Sequence, residues 1–465
     1  MTGVGPSPTR IRHPEEAVLP APWSRSDRAL PRRVVRPLQL LGATATAGAV
    51  VMMVGLLLAL VLANSPLAGH YERFWSAPVT LEVGRWTGLS GHSLREWVND
   101  AAMAVFFFLV SLEIKREMVD GELRDPRAAA LPIAAAFGGM VVPALIYTAV
   151  NLGGPGQHGW GVPMATDIAF AVAVLTAVGD RVPTGARLFL LTLAIVDDLG
   201  AIVVIGVFYT QGVVASWIGL AVLTVLVALV LRRAHVRALA VYAALAILCW
   251  YALLQSGVHP TIAGVVFAFL TPARAFHPRE PYLAWVRSLV HADSPEAHSL
   301  RELRRMTVEA ESPLERLEWR LAPWVTFVVL PVFALANAGL PVDLATLRDL
   351  HQAPVALGIV LGLVLGKTVG ILLAVWLVSR TPLAVLPTGV SWPQLASVAM
   401  CAGVGFTVAL FVAGLAFTDA ASADSARMGI LVGSTLAAVL GYGALRATSR
   451  APLPVEASAP SYPSY

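Results

Sequence analysis

Two adjacent acids, Asp197 and Asp198, stand in the middle of Leu190–Ile205, a run otherwise built almost entirely of Leu, Ile, Val and Ala. The apolar stretch extends from Arg187 to Tyr209, and about 22 residues at about 1.5 Å each cross the hydrocarbon core of a bilayer. An Asp at the centre of such a helix costs roughly 2.5–3.5 kcal/mol. Neither carboxylate can face lipid, so other helices have to enclose the one that carries them. Successive side chains project about 100° apart, which lets one acid face a cavity while the other meets a neighbouring helix. The two also titrate as a coupled pair. Polar glue between helices would be served better by Ser, Thr or Asn, so the pair reads as a functional site.

Of 465 residues, 57% are hydrophobic and 13% charged, with a mean hydropathy of +0.71. Soluble domains carry about 25% charged residues, so the chain reads as an all-α polytopic membrane protein. Cys249 and Cys401 lie far apart in apolar runs and suggest neither a disulfide framework nor a metal site. Arginines scattered over loops do not make a nucleic-acid surface, and no cofactor is expected.

Apolar runs at about 38–63, 96–114, 128–150, 160–178, 188–209, 213–231, 238–254, 257–272, 322–339, 354–379, 394–418 and 428–446 predict about twelve transmembrane helices. The first is too long for the roughly 7–15-residue core of a signal peptide. The domain layout is therefore a basic, disordered tail (1–37), a transmembrane domain (38–446) and a disordered tail (447–465). Residues 65–95 are polar, and the alternation at Val79, Leu81 and Val83 suggests a small outer β-hairpin. The one substantial inner loop is 271–320, where Ser312-Pro313-Leu314-Glu315 has the form of a capping box. It predicts a helix that starts there and runs into the ninth span. The stretch before it, with Arg301, Glu302, Arg304, Arg305, Glu309 and Glu311, reads as a solvated or membrane-surface helix.

Charge distribution supports this threading. With the N-terminus inside, only Arg73, Arg85, Arg95, Arg348 and Arg427 fall outside, and Lys367 falls within the membrane. The rest of the 33 basic residues lie inside, the positive-inside pattern. Both termini are expected to be cytoplasmic.

Other polar groups lie at membrane depth. Thr166 and Asp167 occupy the fourth run, with Pro163 shortly before them. Proline withholds a donor and disturbs the preceding turn, so this helix is expected to break near Asp167, with the carboxylate beside a positive helix end. The plainer alternative is a helix that begins at Pro163 with Asp167 as its cap. Lys367 lies mid-run, and Lys115 is the only other lysine in the chain. Lysine, unlike arginine, can release its proton when buried, which suits a proton-exchanging site; a structural ion pair with an Asp is the other role open to it. Gly403 and Gly405 loosen the eleventh helix at mid-depth. Helices 3–5 and 10–12 then run in opposite directions with interrupted middle members. That is the pattern of inverted repeats with two discontinuous crossing helices, 4 and 11, meeting at an ion site. Glu113, Lys115, Arg116 and Glu117 end the second span as a solvated flank or a regulatory group. His259, before Pro260, fits a turn or core histidine.

Several of these stretches occur together in order: Ala165-Thr-Asp-Ile-Ala-Phe170, Leu193-Ala-Ile-Val-Asp-Asp-Leu-Gly-Ala201, Ser256-Gly-Val-His259, Ala336-Asn-Ala-Gly339, Gly366-Lys367 and Gly403-Val-Gly-Phe-Thr407. Over about residues 40–446 the chain resembles the bacterial NhaA-type sodium/proton antiporters, a family that is itself a standing instance of inverted repeats with broken helices. The resemblance implies a twelve-helix inner-membrane fold in which the fourth and eleventh helices cross where they unwind. It implies that Asp197 and Asp198 form the cation and proton site, with Asp198 the main ligand of the transported Na+. Thr166 and Asp167 would sit at the crossing, and Lys367 would pair with an Asp and balance helix ends. Segment 77–94 resembles the outer hairpin through which family members form homodimers. The family's cytoplasmic pH-sensing region has a Glu-His pair and a second His before the Pro-Trp of the ninth span. Here Glu318 matches, but Trp319 and Ala322 take the histidine positions. With Glu113, Arg116 and Glu117 as the other regulatory candidates, antiport is expected to persist with an altered pH profile. Residues 271–311 look inserted.

The expected function is an electrogenic sodium (lithium)/proton antiporter, with Na+, Li+ and H+ as its ions and a bacterial inner membrane as its place. A sodium-coupled solute symporter of similar fold is the alternative. Enzymes fit poorly. A Mg2+-dependent prenyl transferase would want a further acid near Asp197-Asp198, and Lys367 would disturb the shared proton of an aspartyl protease dyad.

Overall fold

The computed structural model describes residues 45–83, 86–210, 212–234, 236, 238–274, 311–341, 353–381 and 389–449. Residues 1–44, most of the 271–311 insertion and the C-terminal tail from 450 lie outside them, and so do the expectations made for those segments. Among the described residues, nine long apolar helices are uninterrupted, two further spans are bent at a break, and one apolar helix is short. The order is α1 (Ala45–Ala63), α2 (Leu94–Val119), α3 (Pro126–Val150), broken α4 (Pro155–Met164 and Ile168–Val178), α5 (Thr184–Phe208) and α6 (Ala215–Arg233). There follow α7 (Leu239–Ser256), short α8 (Thr261–Leu270), α9 (Pro313–Asn337), α10 (Pro354–Ser379), broken α11 (Trp392–Cys401 and Phe406–Ala416) and α12 (Ala420–Thr448). This is the all-α membrane fold with inverted repeats, α3–α5 and α10–α12, that the apolar runs predict.

Helix starts follow local chemistry. Ser312 caps α9 by accepting from Glu315 N, and Glu315 reaches back to Ser312 N at 3.3 Å, as the capping box predicts. The helix then continues through Pro323 by way of a π-helical turn, Val325–Val329. α12 starts eight residues earlier than its apolar run, because Asp419 accepts from Ser422 N at 2.8 Å and the Ala/Ser stretch that follows is compatible with helix.

The expected small hairpin is present. β1 (Pro78–Val83) pairs antiparallel with β2 (Trp86–Ser93), Pro78 opposite Ser93 and Val79 opposite His92. A short helix, Ala68–Trp75, precedes it and buries Tyr71 and Trp75. Its apolar positions are too few to stand out as a run. With its neighbours it closes the end of α9: Tyr71 donates to Leu335 O at 2.7 Å, Arg95 to Ala336 O at 3.1 Å, and Asn64 to Leu340 O at 2.7 Å. Carbonyls at a helix end have no partner within the helix; side chains from the short helix and α2 supply those of Leu335 and Ala336, and Asn64, just past α1, holds the Leu340 carbonyl beyond the helix.

The central contact lies between α3 and α10. A Cβ on Gly138 would collide with the Gly370 carbonyl, and one on Gly370 with the Gly138 carbonyl. The two backbones meet with nothing between them. Lower on the same face, a Cβ on Gly366 would lie 2.8 Å from Pro143 Cα. This close crossing draws the two repeats together around the breaks of α4 and α11.

Candidate functional site

Both breaks occur where the sequence weakens helical order. The first half of α4, Pro155–Met164, is a 3-10 helix, and Ala165 and Asp167 that follow have extended backbone. Pro163 packs against α10 at Gly362. The helix therefore breaks near Asp167 and does not begin at Pro163: Pro163 lies within the 3-10 half that starts at Pro155, and Asp167 caps the second half, which starts at Ile168. α11 ends its first half at Cys401 and resumes at Phe406, with Gly403 and Gly405 in between. The halves bend by 47° in α4 and 49° in α11.

The two breaks hold each other by hydrogen bonds. Asp167 N donates to Val404 O at 2.7 Å, and Thr166 Oγ1 to Ala402 O at 2.8 Å. Asp167 Oδ1 accepts from Phe170 N at 3.2 Å, so it caps its own half-helix. Asp167 Oδ2 accepts from Thr407 N at 3.1 Å and Thr407 Oγ1 at 2.6 Å. One carboxylate therefore faces two positive helix ends, the environment a buried anion needs. Ser434 of α12 accepts from Gly405 N and Phe406 N.

The acid pair lies beside this crossing. Lys367 Nζ donates to Asp197 Oδ2 at 2.5 Å and to Thr166 Oγ1 at 2.9 Å, and the Lys367 and Asp197 side chains have no exposure at all. The π-helical turn Gly362–Gly366 immediately precedes Lys367; such single turns re-aim the residues after them and recur at functional sites. Gly139 packs closely against the following turn of α10, since a Cβ there would stand 2.9 Å from Ile371 Cγ1. Asp198 is equally buried, at 1% exposure, and interacts electrostatically with Asp197, Asp167, Glu113 and Lys367. Neither Asp197 Oδ1 nor Asp198 Oδ1 has a hydrogen-bond partner. Three carboxylates here face one ammonium, and two of their oxygens are free to take a proton or a hard cation.

Thr166, Asp167, Asp197, Asp198, Lys367, Pro163, Gly403 and Gly405 thus converge. Glu113, Arg116, Glu117 and Glu318 do not; they form a second group at one end of α2 and α9. Arg116 pairs with Glu318 and lies 3.6 Å from Glu117. Glu113 stands on α2 about one turn before Arg116 and Glu117. Trp319 is 77% exposed. Lys115, expected as part of a solvated flank, instead donates to Phe269 O at 2.6 Å and to Thr271 O, and so closes the end of α8. His259 takes the turn role, with Nε2 3.0 Å from Tyr209 O.

Sequence reasoning did not single out Thr407 or Ser434. Thr407 ends the Gly403–Thr407 stretch with no charge to mark it, and a lone serine in an apolar run looks like ordinary helix glue.

A polytopic helical bundle whose buried carboxylates and ammonium meet where two broken helices cross is a membrane transporter in architecture, not an enzyme. The family model described as Na+/H+ antiporter 1 matches residues 40–445. Relatives include a Na(+)/H(+) antiporter NhaA of Rhodopirellula baltica, 44% identical over 92% of this chain and 97% of the relative. Another, of Oleidesulfovibrio alaskensis, is 43% identical over 91% of this chain and 97% of its own length. A third, of Shewanella frigidimarina, is 43% identical over 85% and 93% respectively. The chain belongs to the Na+/H+ antiporter 1 family.

Proposed function

We propose that this protein is an electrogenic sodium (lithium)/proton antiporter that exports Na+ in exchange for H+, the two ions competing for Asp197 and Asp198. One observation carries the proposal: Asp167, Asp197 and Asp198 are buried with a single ammonium, Lys367, and two acid oxygens lack partners. Burying uncompensated charge is prohibitive, so the pair has to take up protons or a cation. Carboxylate oxygens suit a hard, dehydrated ion. A site that holds either Na+ or protons, and never both, exchanges them. Where one Na+ replaces more than one proton, each cycle moves net charge.

In this mechanism Asp198 is the main Na+ ligand, and Asp197 alternates between Lys367 and the ion. Thr166 and Asp167 hold the crossing, and access alternates by movement about the breaks of α4 and α11. Glu113, Arg116, Glu117 and Glu318 adjust the pH response, which differs from that of relatives with histidines where Trp319 and Ala322 stand. The protein lies in a bacterial inner membrane with both termini cytoplasmic and forms a homodimer through the 77–94 hairpin.

The test uses inside-out vesicles acidified by respiration, with NaCl, LiCl or KCl added across a pH series. Na+ and Li+, but not K+, are expected to relieve the acid interior of wild-type vesicles, and Asp198→Asn vesicles to give no response. A potential-sensitive dye reads electrogenicity, and the mass of protein lacking residues 78–93 reads the dimer. Full exchange by Asp198→Asn would refute the assigned site. If no cation collapses the gradient at any pH, antiport is wrong, and sodium-driven solute uptake becomes the next assay.

A further inference from the structure

The second half of α11 begins with backbone donors that its own sequence cannot satisfy. The first N–H groups of a helix have no intrahelical partner, and the N-cap here is Gly405, which has no side chain to accept them. At the matching place in α4 stands Asp167, whose own carboxylate accepts from Phe170 N. α11 is supplied instead from another helix. Ser434 of α12, with 0% exposure, accepts from Gly405 N at 3.1 Å and from Phe406 N at 3.2 Å. The next amide, Thr407 N, turns to Asp167 Oδ2. The helix end is thus divided between a neutral hydroxyl on α12 and a charged carboxylate on α4.

We infer that Ser434 is a positioning residue for cation exchange: it fixes the start of the second α11 half-helix, so that Thr407 presents its two donors to Asp167 beside the acid pair. The inference rests on the antiport proposed above. Without the hydroxyl, two buried amides lose their acceptor. They then compete with Thr407 for the Asp167 carboxylate or unwind the first turn. Either response changes how the Asp167 charge is held, and Asp198 feels that charge. The effect on Na+ passes through α11, since the Ser434 hydroxyl is committed to the helix end.

Ser434→Ala and Ser434→Cys separate capping from packing. A thiol fills the space of the hydroxyl and slightly more but is a weak acceptor. Both variants are expected to shift the apparent KM for Na+ by roughly three- to tenfold, to move the pH profile, and to alter the maximal rate much less. Hydrogen exchange at Gly405 and Phe406 should quicken in both. A Ser434→Cys protein that behaves as wild type while Ser434→Ala does not would assign Ser434 to packing and overturn the inference; so would two variants with unchanged KM and pH profile. Should neither accumulate in membranes, the wild type decides, because rapid exchange of the Gly405 and Phe406 amides contradicts a cap. Wild-type protein that moves no Na+ defeats the antiport proposal instead, and protection of these amides is still measurable.

Discussion

The breaks in α4 and α11 bend by nearly the same angle, 47° and 49°, but they carry opposite electrical character. The first repeat contributes the carboxylates: Asp167 at its break, and Asp197 and Asp198 on α5 behind it. The second contributes what faces them: the Lys367 ammonium on α10, the Thr407 hydroxyl and backbone donors at the start of a half-helix. Even the caps differ, since α4 uses its own Asp167 whereas α11 borrows Ser434 from α12. Two repeats of like geometry thus differ in charge, and the site lies on the seam between them. Proline, glycine and close backbone contact produce the bend; side chains decide what the bend can hold.

The seam is most exposed to loss of its one cation. Lys367→Met leaves Asp197 buried without a counter-charge, and breaking such a pair costs about 3–5 kcal/mol. The expected result is a large fall in the Tm of purified protein together with loss of exchange. Adding Asp197→Leu should recover much of the Tm and none of the transport. A single variant with wild-type Tm would show that the two repeats are not held together by charge. Next in size is the glycine pair of α11. A Cβ on Gly403 would overlap the Leu363 carbonyl of α10, whereas on Gly405 the nearest atoms are 3.1 Å away, among them Ala165 O. Gly403→Ala should therefore cost about 1–3 kcal/mol and Gly405→Ala clearly less, with thermal unfolding as the readout. Equal effects would mean that the break tolerates no side chain anywhere, rather than at one backbone contact. On the α4 side, Asp167→Ala removes a cap worth about 0.5–2 kcal/mol, while Asp167→Asn keeps the cap on Phe170 N through its amide oxygen but sets an NH2, which cannot accept, opposite Thr407 N. Tm should separate Ala from Asn, and identical values would argue against a capping role.

Much of this was legible in the sequence for a plain physical reason. Charged groups in apolar runs, a proline within a span and paired glycines at mid-depth are costly wherever they stand, so Asp197, Asp198, Lys367, Pro163, Gly403 and Gly405 stood out. The break in α4 was legible as well, although its 3-10 half begins outside the apolar stretch, where hydropathy carries no signal. Ser434 and Thr407 were hidden because hydroxyls cost little in a helix, and their work lies in contacts across the fold to Gly405, Phe406 and Asp167. Lys115 misled in the other direction: a lysine at the basic end of a span looks solvated until its target, the closing turn of α8, is visible. Pairing specificity was equally out of reach, since nothing along the chain says that Lys367 selects Asp197 while Asp198 stays without a protein partner for Oδ1.

The smallest effect belongs outside both breaks, and there it serves as a control. Glu72 and Arg95 make a two-pronged pair at 2.8 and 3.0 Å beside the outer hairpin, but the Glu72 side chain is 59% exposed. Solvent screens such a pair, which is worth less than about 1 kcal/mol. The Arg95 hydrogen bonds hold the Glu72 carboxyl below its ordinary range. A carboxyl lowered on folding adds stability above its unfolded pKa of about 4.3 and loses it as pH falls through the lower folded value. Wild-type protein should therefore be slightly more stable than Glu72→Gln at pH 7, and the gap in Tm should close as the pH drops below about 4. Raising the salt should narrow it too. Exchange in vesicles should be untouched. A gap that persists in acid would mean that Glu72 acts by packing, and a transport defect would mean that the outer rim, far from the charged seam, takes part in moving ions.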